Sequence, residues 1–475
     1  MDRDGLFAIR TINPFRLKWF LVFEILLWGG FVLLNILGMG KLANVWLLAP
    51  VQIFIWALLV GNEFRILIFF AALVPVVGAA FLPPSYYRWV FFPGILGLLG
   101  TCYATSWIKE RNRFRSLSNF ERMPLLVLMV VILFSFINAS SRGWQGPTLL
   151  PTTQLMLVLL AIDYLAAKLV LDEHQIEKLL QTIVFSVVFC SVVVFWLAWN
   201  RGVASDFGSK SVLTPFGWLN LNAWGCIVAV AGIIALAFVL QRRSVLNKVA
   251  FIFTIFILVA MLILTKSRGA WLGFGLALLY VLVAFRSFKL IAILVIFLFV
   301  LSFWELARQL IFVRISETTL TDPSLAGRVV LWNYAWSMGK SNWLLGVGME
   351  NFRFVKHLYG FPGSKAVGLP YNAHNIYLEF FADLGFLGVI SFLVLLASAL
   401  VRTYSSKFDK TLPASARPIG VALSAGLITF IVHGMVDAFT YNPGALALLI
   451  ILVSLSFVFG NLKKRYRISS ISEHS

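Results

Sequence analysis

Apolar runs long enough to cross a bilayer recur along almost the whole of this 475-residue chain. The hydrocarbon core offers backbone N–H and C=O groups no water, so a spanning segment must be a helix or part of a closed barrel. Runs of about 20 mainly apolar residues select the helix. They can be placed near 17–37, 42–61, 64–82, 86–106, 123–140, 153–171, 179–200, 218–240, 249–266, 270–285, 290–307, 375–401, 418–440 and 445–461. The predicted fold class is an all-α polytopic membrane protein with about 14 (12–14) transmembrane helices, the pair flanking Ser267–Gly269 being open to a different count.

Composition agrees: 60% of residues are hydrophobic and 12% charged, against about 25% charged in soluble domains. The first run is expected to be an uncleaved helix, because the polar, basic stretch before it has no short apolar region and small-residue cleavage site. Cys102, Cys190 and Cys226 all fall inside apolar runs, which predicts small core residues and no disulfide framework. The net charge of +19 raises nucleic acid as a partner, but the cations are dispersed. With the N-terminus inside, 25 Lys and Arg fall in inner segments and five in short outer loops. That asymmetry predicts cytoplasmic termini and attraction to anionic lipid, and nucleic acid is not needed.

One long interval interrupts the pattern, 308–374. At about 65 residues it far exceeds ordinary helix connections of about two to eight, and its Trp, Leu, Val and Phe content argues against disorder. It is expected to form a large outer, periplasmic helical loop, a cap. The predicted partition is therefore 1–307, transmembrane helices 1–11; 308–374, the cap; and 375–475, the C-terminal transmembrane helices and cytoplasmic tail.

Three groups of residues could carry chemistry. Lys266 and Arg268, in Thr265-Lys266-Ser267-Arg268-Gly269, stand at an outer membrane boundary. There an Arg fork suits a phosphate or pyrophosphate, although both cations could instead snorkel to headgroups as anchors. His374 lies at the re-entry of the chain into the bilayer, where a neutral imidazole can take a proton from a hydroxyl. Asn375, Glu379 and Asp383 follow it at four-residue spacing, hence on one helical face. The alternative is that His374 and Asn372 cap a helix whose positive end the acids favour. Arg328 opens an amphipathic stretch with Trp332 and Trp336; it either binds an anion or is solvated or bonded to a local carboxylate. His433 and Asp437 are i, i+4 neighbours near a helix end and are expected to satisfy each other. No GxxxxGK[ST] loop, HExxH motif or Cys/His cluster is present, so neither a cofactor nor a metal is expected.

Taken together, Ser267-Arg268-Gly269 between two helices, Gly327-Arg328 and Trp343-Leu344-Leu345-Gly346-Val347-Gly348 in the long loop, and Ala373-His374-Asn375-Ile376-Tyr377-Leu378 with Gly385 resemble the O-antigen ligase and polymerase superfamily over about 220–440. The fourteen candidate runs exceed the number typical of the ligase branch. The resemblance implies a metal-independent, GT-C-like glycosyltransferase of the bacterial inner membrane, with its site on the periplasmic face. Its donor would be a glycan on undecaprenyl diphosphate, and its acceptor hydroxyl would belong to lipid A core or another glycan. Arg268 and Arg328, with Lys266, would then bind the donor diphosphate and His374 would activate the acceptor. Asn375, Glu379, His433 and Asp437 would be possible support. The expected function is O-antigen ligase-like transfer in surface polysaccharide assembly. The alternatives are an O-antigen or exopolysaccharide polymerase, a protein O-oligosaccharyltransferase, and a transporter or flippase without bond chemistry.

Overall fold

A computed structural model of the chain describes residues 119–144, 172–200, 220–240, 245–287, 323–360, 372–438 and 442–472, with a few further positions between 68 and 159. The described helices all belong to one compact unit, Ala71–Phe81 together with Arg115–Ser475. A second unit, Met1–Phe70 with Leu82–Phe114, lies outside the described residues except at Ile68, as do the runs expected at 17–37, 42–61, 86–106 and 290–307. Only isolated positions of those at 64–82 and 153–171 are described.

Among the described residues the chain is helical and contains no strand. The principal helices are α1 (Asn119–Ser141), α2 (Glu173–Asn200), α3 (Leu221–Val239), α4 (Val245–Leu264), α5 (Arg268–Ala284), α6 (Pro323–Ser341), the short α7 (Phe352–Val355), α8 (Ile376–Tyr404), α9 (Arg417–His433) and α10 (Pro443–Ser472). Five of them, α1, α2, α3, α8 and α10, contain stretches long and apolar enough to cross a membrane; α4, α5 and α9 contain shorter apolar ones. The protein is a helical membrane protein.

Burial separates the helices into inner and outer. α3 is apolar on every side and buried from Ala223 to Phe238 except at Leu236, as expected of a helix enclosed by others. Its Gly and Ala residues let α5, α9 and α4 come close, which is how helices associate where lipid removes the hydrophobic drive between them. α1 and α2 carry Phe134, Phe189 and Trp196 exposed on their outer faces. Cys190 and Cys226 are buried thiols, and Cys102 lies outside the described residues.

α8 is broken. Gly385 has φ +70°, ψ −170° inside it, a conformation open to glycine and strained for other residues. The break releases two carbonyls into a buried setting, where unsatisfied groups cost several kcal/mol. The segment after α6 takes them up: Val347 N–H donates to Ala382 O at 3.0 Å and Gly348 N–H to Asp383 O at 2.8 Å, while Trp343 O accepts from Phe386 N–H at 2.6 Å. The Asp383 carboxylate, fully buried, accepts the N–H groups of Glu350 and Phe352, each at 2.8 Å. Asp383 therefore holds the backbone that leads into α7. Leu331, Ala335, Met338, Val347, Phe352, Ala373 and Ala382 close a small core beneath α6.

The opposite end of the bundle is tied by charge. Asp409, in the connection between α8 and α9, accepts from Lys463 at 2.8 Å and Arg467 at 2.9 Å, and Tyr466 donates to Glu173 at 2.6 Å. The basic tail thus continues α10 to Ser472, beyond the apolar run expected to end at 461.

Candidate functional site

Three chain breaks meet at one end of the bundle. Between α4 and α5 the backbone reverses at Lys266, with φ 51°, and Arg268 begins α5. Trp271 holds this corner by donating its indole N–H to Leu262 O at 2.9 Å. The first turn of α5 is pressed against the end of α9, because a Cβ on Gly269 would meet Val436 and stand 3.0 Å from His433 Nδ1. Lys266 and Arg268 are both partly exposed there.

The second break precedes α8. Asn375 caps the helix by accepting from the N–H groups of Tyr377 and Leu378, each at 3.0 Å. Its amide donates to Met435 O at 2.9 Å. His374 is held in the left-handed region, φ 50°, where non-glycine residues are uncommon and often functional. Four neighbours fix it. Asn372 accepts its N–H at 3.2 Å, Glu379 accepts the preceding Ala373 N–H at 3.1 Å, Trp332 donates to its carbonyl at 3.4 Å, and its Nδ1 lies 2.8 Å from Asp437 Oδ1.

The third break follows α9, which stops at His433 and not near 440 as the apolar run suggested. Asp437 consequently lies in a loop, on the side of His374. The expectation that His433 and Asp437 satisfy each other is corrected by geometry: Asp437 Oδ2 is 3.8 Å from His433, a full ångström beyond the His374 contact. Arg328 lies in the first half of α6, one helical turn before Trp332.

The arrangement has a definite chemistry. An ionised Asp437 accepts hydrogen bonds and donates none, so the His374 Nδ1 facing it carries the proton and Nε2 is left as a base. The corner that carries Lys266 and Arg268 packs at Gly269 against His433 and Val436, and side chains of this kind suit an oxyanion or a phosphate. Residues 253–393 match the family described as O-antigen ligase. That segment resembles the O-antigen ligase superfamily. Two relatives described as candidate polysaccharide ligases agree. The Rickettsia conorii protein is 26% identical over 228 residues, covering 46% of this chain and 53% of the relative. The Rickettsia prowazekii protein is 24% identical over 265 residues, covering 54% and 61%. The chain thus spans between half and two thirds of the length of the curated relatives it matches.

The segment matching the O-antigen ligase family contains Lys266, Arg268, Arg328, His374, Asn375 and Glu379; His433 and Asp437 lie past its end. The fold brings the α4–α5 corner, the start of α8 and the end of α9 together. Asn375 and Glu379 hydrogen-bond the backbone around His374. The link from Asp437 to His374 escaped the sequence reading because the two are 63 positions apart. Trp332, named there only for amphipathic spacing, proved to bond the His374 carbonyl. Its place one helical turn after Arg328 was the available signal.

Proposed function

We propose that the chain transfers a glycan from an undecaprenyl-diphosphate carrier to an acceptor hydroxyl, as an O-antigen ligase acting on lipid A core at the periplasmic face of the inner membrane. The observation that carries this reading is the convergence of the His374–Asp437 pair with the cationic corner of Lys266 and Arg268 and with Arg328. His374 Nε2 removes the acceptor proton as the acceptor oxygen attacks the anomeric carbon. The bond from that carbon to the diphosphate oxygen breaks, and the carrier diphosphate departs with the electron pair. Arg268, Arg328 and Lys266 stabilise the charge that accumulates there. Asp437 holds the imidazole in the basic tautomer and stabilises the imidazolium as it forms. Because side-chain cations supply this charge, transfer is expected to persist in chelator. The 308–374 interval is, on this reading, the cap over the reacting groups, and both termini are cytoplasmic.

The test is a reconstitution of purified protein with lipid-linked repeat units, with and without lipid A core, in chelator. Transfer that requires core supports the ligase; long chains on the carrier without core would make the protein a polymerase. Transfer only to a peptide, or translocation with no bond formed, would overturn both.

A further inference from the structure

Arg328, Trp332 and Trp336 succeed one another at four-residue spacing on α6, which places them along one edge of the helix. The edge begins at the site. Arg328 lies one helical turn before Trp332, and Trp332 donates to the His374 carbonyl at 3.4 Å. Trp336 continues away from it and is 53% exposed. Its ring is nevertheless held: the Phe381 ring lies 5.2 Å away, centroid to centroid. Gly339 makes room for Phe381, since a Cβ there would run into that ring.

An indole that is exposed, held in place and aligned with a cation has a particular chemical use. A pyranose ring is apolar on the faces that carry C–H groups and polar at its rim. The negative face of an aromatic ring attracts those hydrogens, and a ring already fixed loses little freedom on binding. Four helical residues rise about 6 Å, a distance comparable to the repeat of a linear glycan. We propose that Trp332 and Trp336 form a sugar-stacking track for the donor glycan, leading away from Arg328 and His374. The proposal rests on the glycan-transfer reading. It assigns the track to the donor because the track starts at the cation that would hold the donor's diphosphate, to which the first sugar is attached.

Binding to the purified full chain, measured without turnover, tests the track separately from catalysis. The probes are undecaprenyl diphosphate bearing an oligosaccharide repeat unit, bare undecaprenyl diphosphate, and the free acceptor. Trp336→Ala is expected to weaken the glycan-bearing carrier about fivefold and leave the bare carrier unchanged. Trp336→Phe should restore most of the loss, and Trp336→Leu, apolar without a π face, should not. Equal weakening of both carriers would make Trp336 an interfacial lipid anchor and overturn the proposal. So would loss confined to the acceptor, or no loss at all. A wild type that binds the glycan-bearing carrier more tightly yet transfers nothing would defeat the proposed function and not the track.

Discussion

His374 stands in a left-handed conformation, φ 50°, with Asp437 at 2.8 Å from its Nδ1; the first belongs to the backbone around it and the second to the end of α9 at His433. On the proposed mechanism His374→Ala removes the base and should lower turnover by roughly 10²-fold or more in single-turnover transfer assays. Asp437→Asn should also lower it, because an amide NH₂ facing Nδ1 favours the tautomer with the proton on Nε2. Donor affinity should then be nearly unchanged; a matching loss of donor binding would mean that Asp437 shapes the diphosphate site instead. At Arg268 the fork matters as much as the charge, so Arg268→Lys should retain part of the donor affinity that Arg268→Ala loses, as read by binding of bare undecaprenyl diphosphate.

At the scale of the element, the break in α8 decides where α6 and α7 sit. Gly385→Ala puts a Cβ into the Leu344 carbonyl and holds alanine at φ +70°, ψ −170°, a region essentially restricted to glycine, costing roughly 1–3 kcal/mol for the conformation alone; thermal unfolding in detergent should report a lowered midpoint. Asp383→Ala should free the amides of Glu350 and Phe352, seen as faster hydrogen exchange there with α9 unaffected. Slow exchange at both amides would show that Asp383 does not hold the loop. This break was not legible in the sequence. Glycine is common in membrane helices, and what selects Gly385 is a set of donors and acceptors at 343–348, contributed from earlier in the chain. The runs that became α1 to α5 and α8 to α10 were legible, because a bilayer constrains length and polarity segment by segment. Their ends were less so: α9 stops at His433 and α10 reaches Ser472, where hydrogen bonding and Asp409 outweigh hydropathy.

Across the described helices, α2, α4, α5, α9 and α10 pack against α3, and α8 ties them to α1 and α6, with the chain breaks around His374 at one end and an ionic clasp at the other. At that clasp burial disfavours the Asp409 carboxylate, but hydrogen bonds from Lys463, Thr411 and Arg467 outweigh it and hold its pKa well below the ordinary 3.8. A depressed folded-state pKa contributes stability above the unfolded value, lost as pH falls through the folded one. Acidification below about pH 4 should therefore loosen the α10 tail from the α8–α9 connection, and Asp409→Asn should abolish that part of the pH dependence in thermal melts taken at several acidities. The candidate residues at the other end were legible one by one, from charge placed at membrane boundaries and from motif order. Their assembly was not, since Arg268, Arg328, His374 and Asp437 come from four different segments. The most direct measurement is glycan transfer in proteoliposomes by wild type, Arg268→Ala and His374→Ala, each verified as folded and supplied with an undecaprenyl-diphosphate-linked glycan and lipid A core. Transfer by wild type, with loss of roughly 10²-fold or more in His374→Ala and weakened donor use in Arg268→Ala, is the expected result. Wild-type rates in both variants would contradict a glycosyl-transfer site at this end of the bundle.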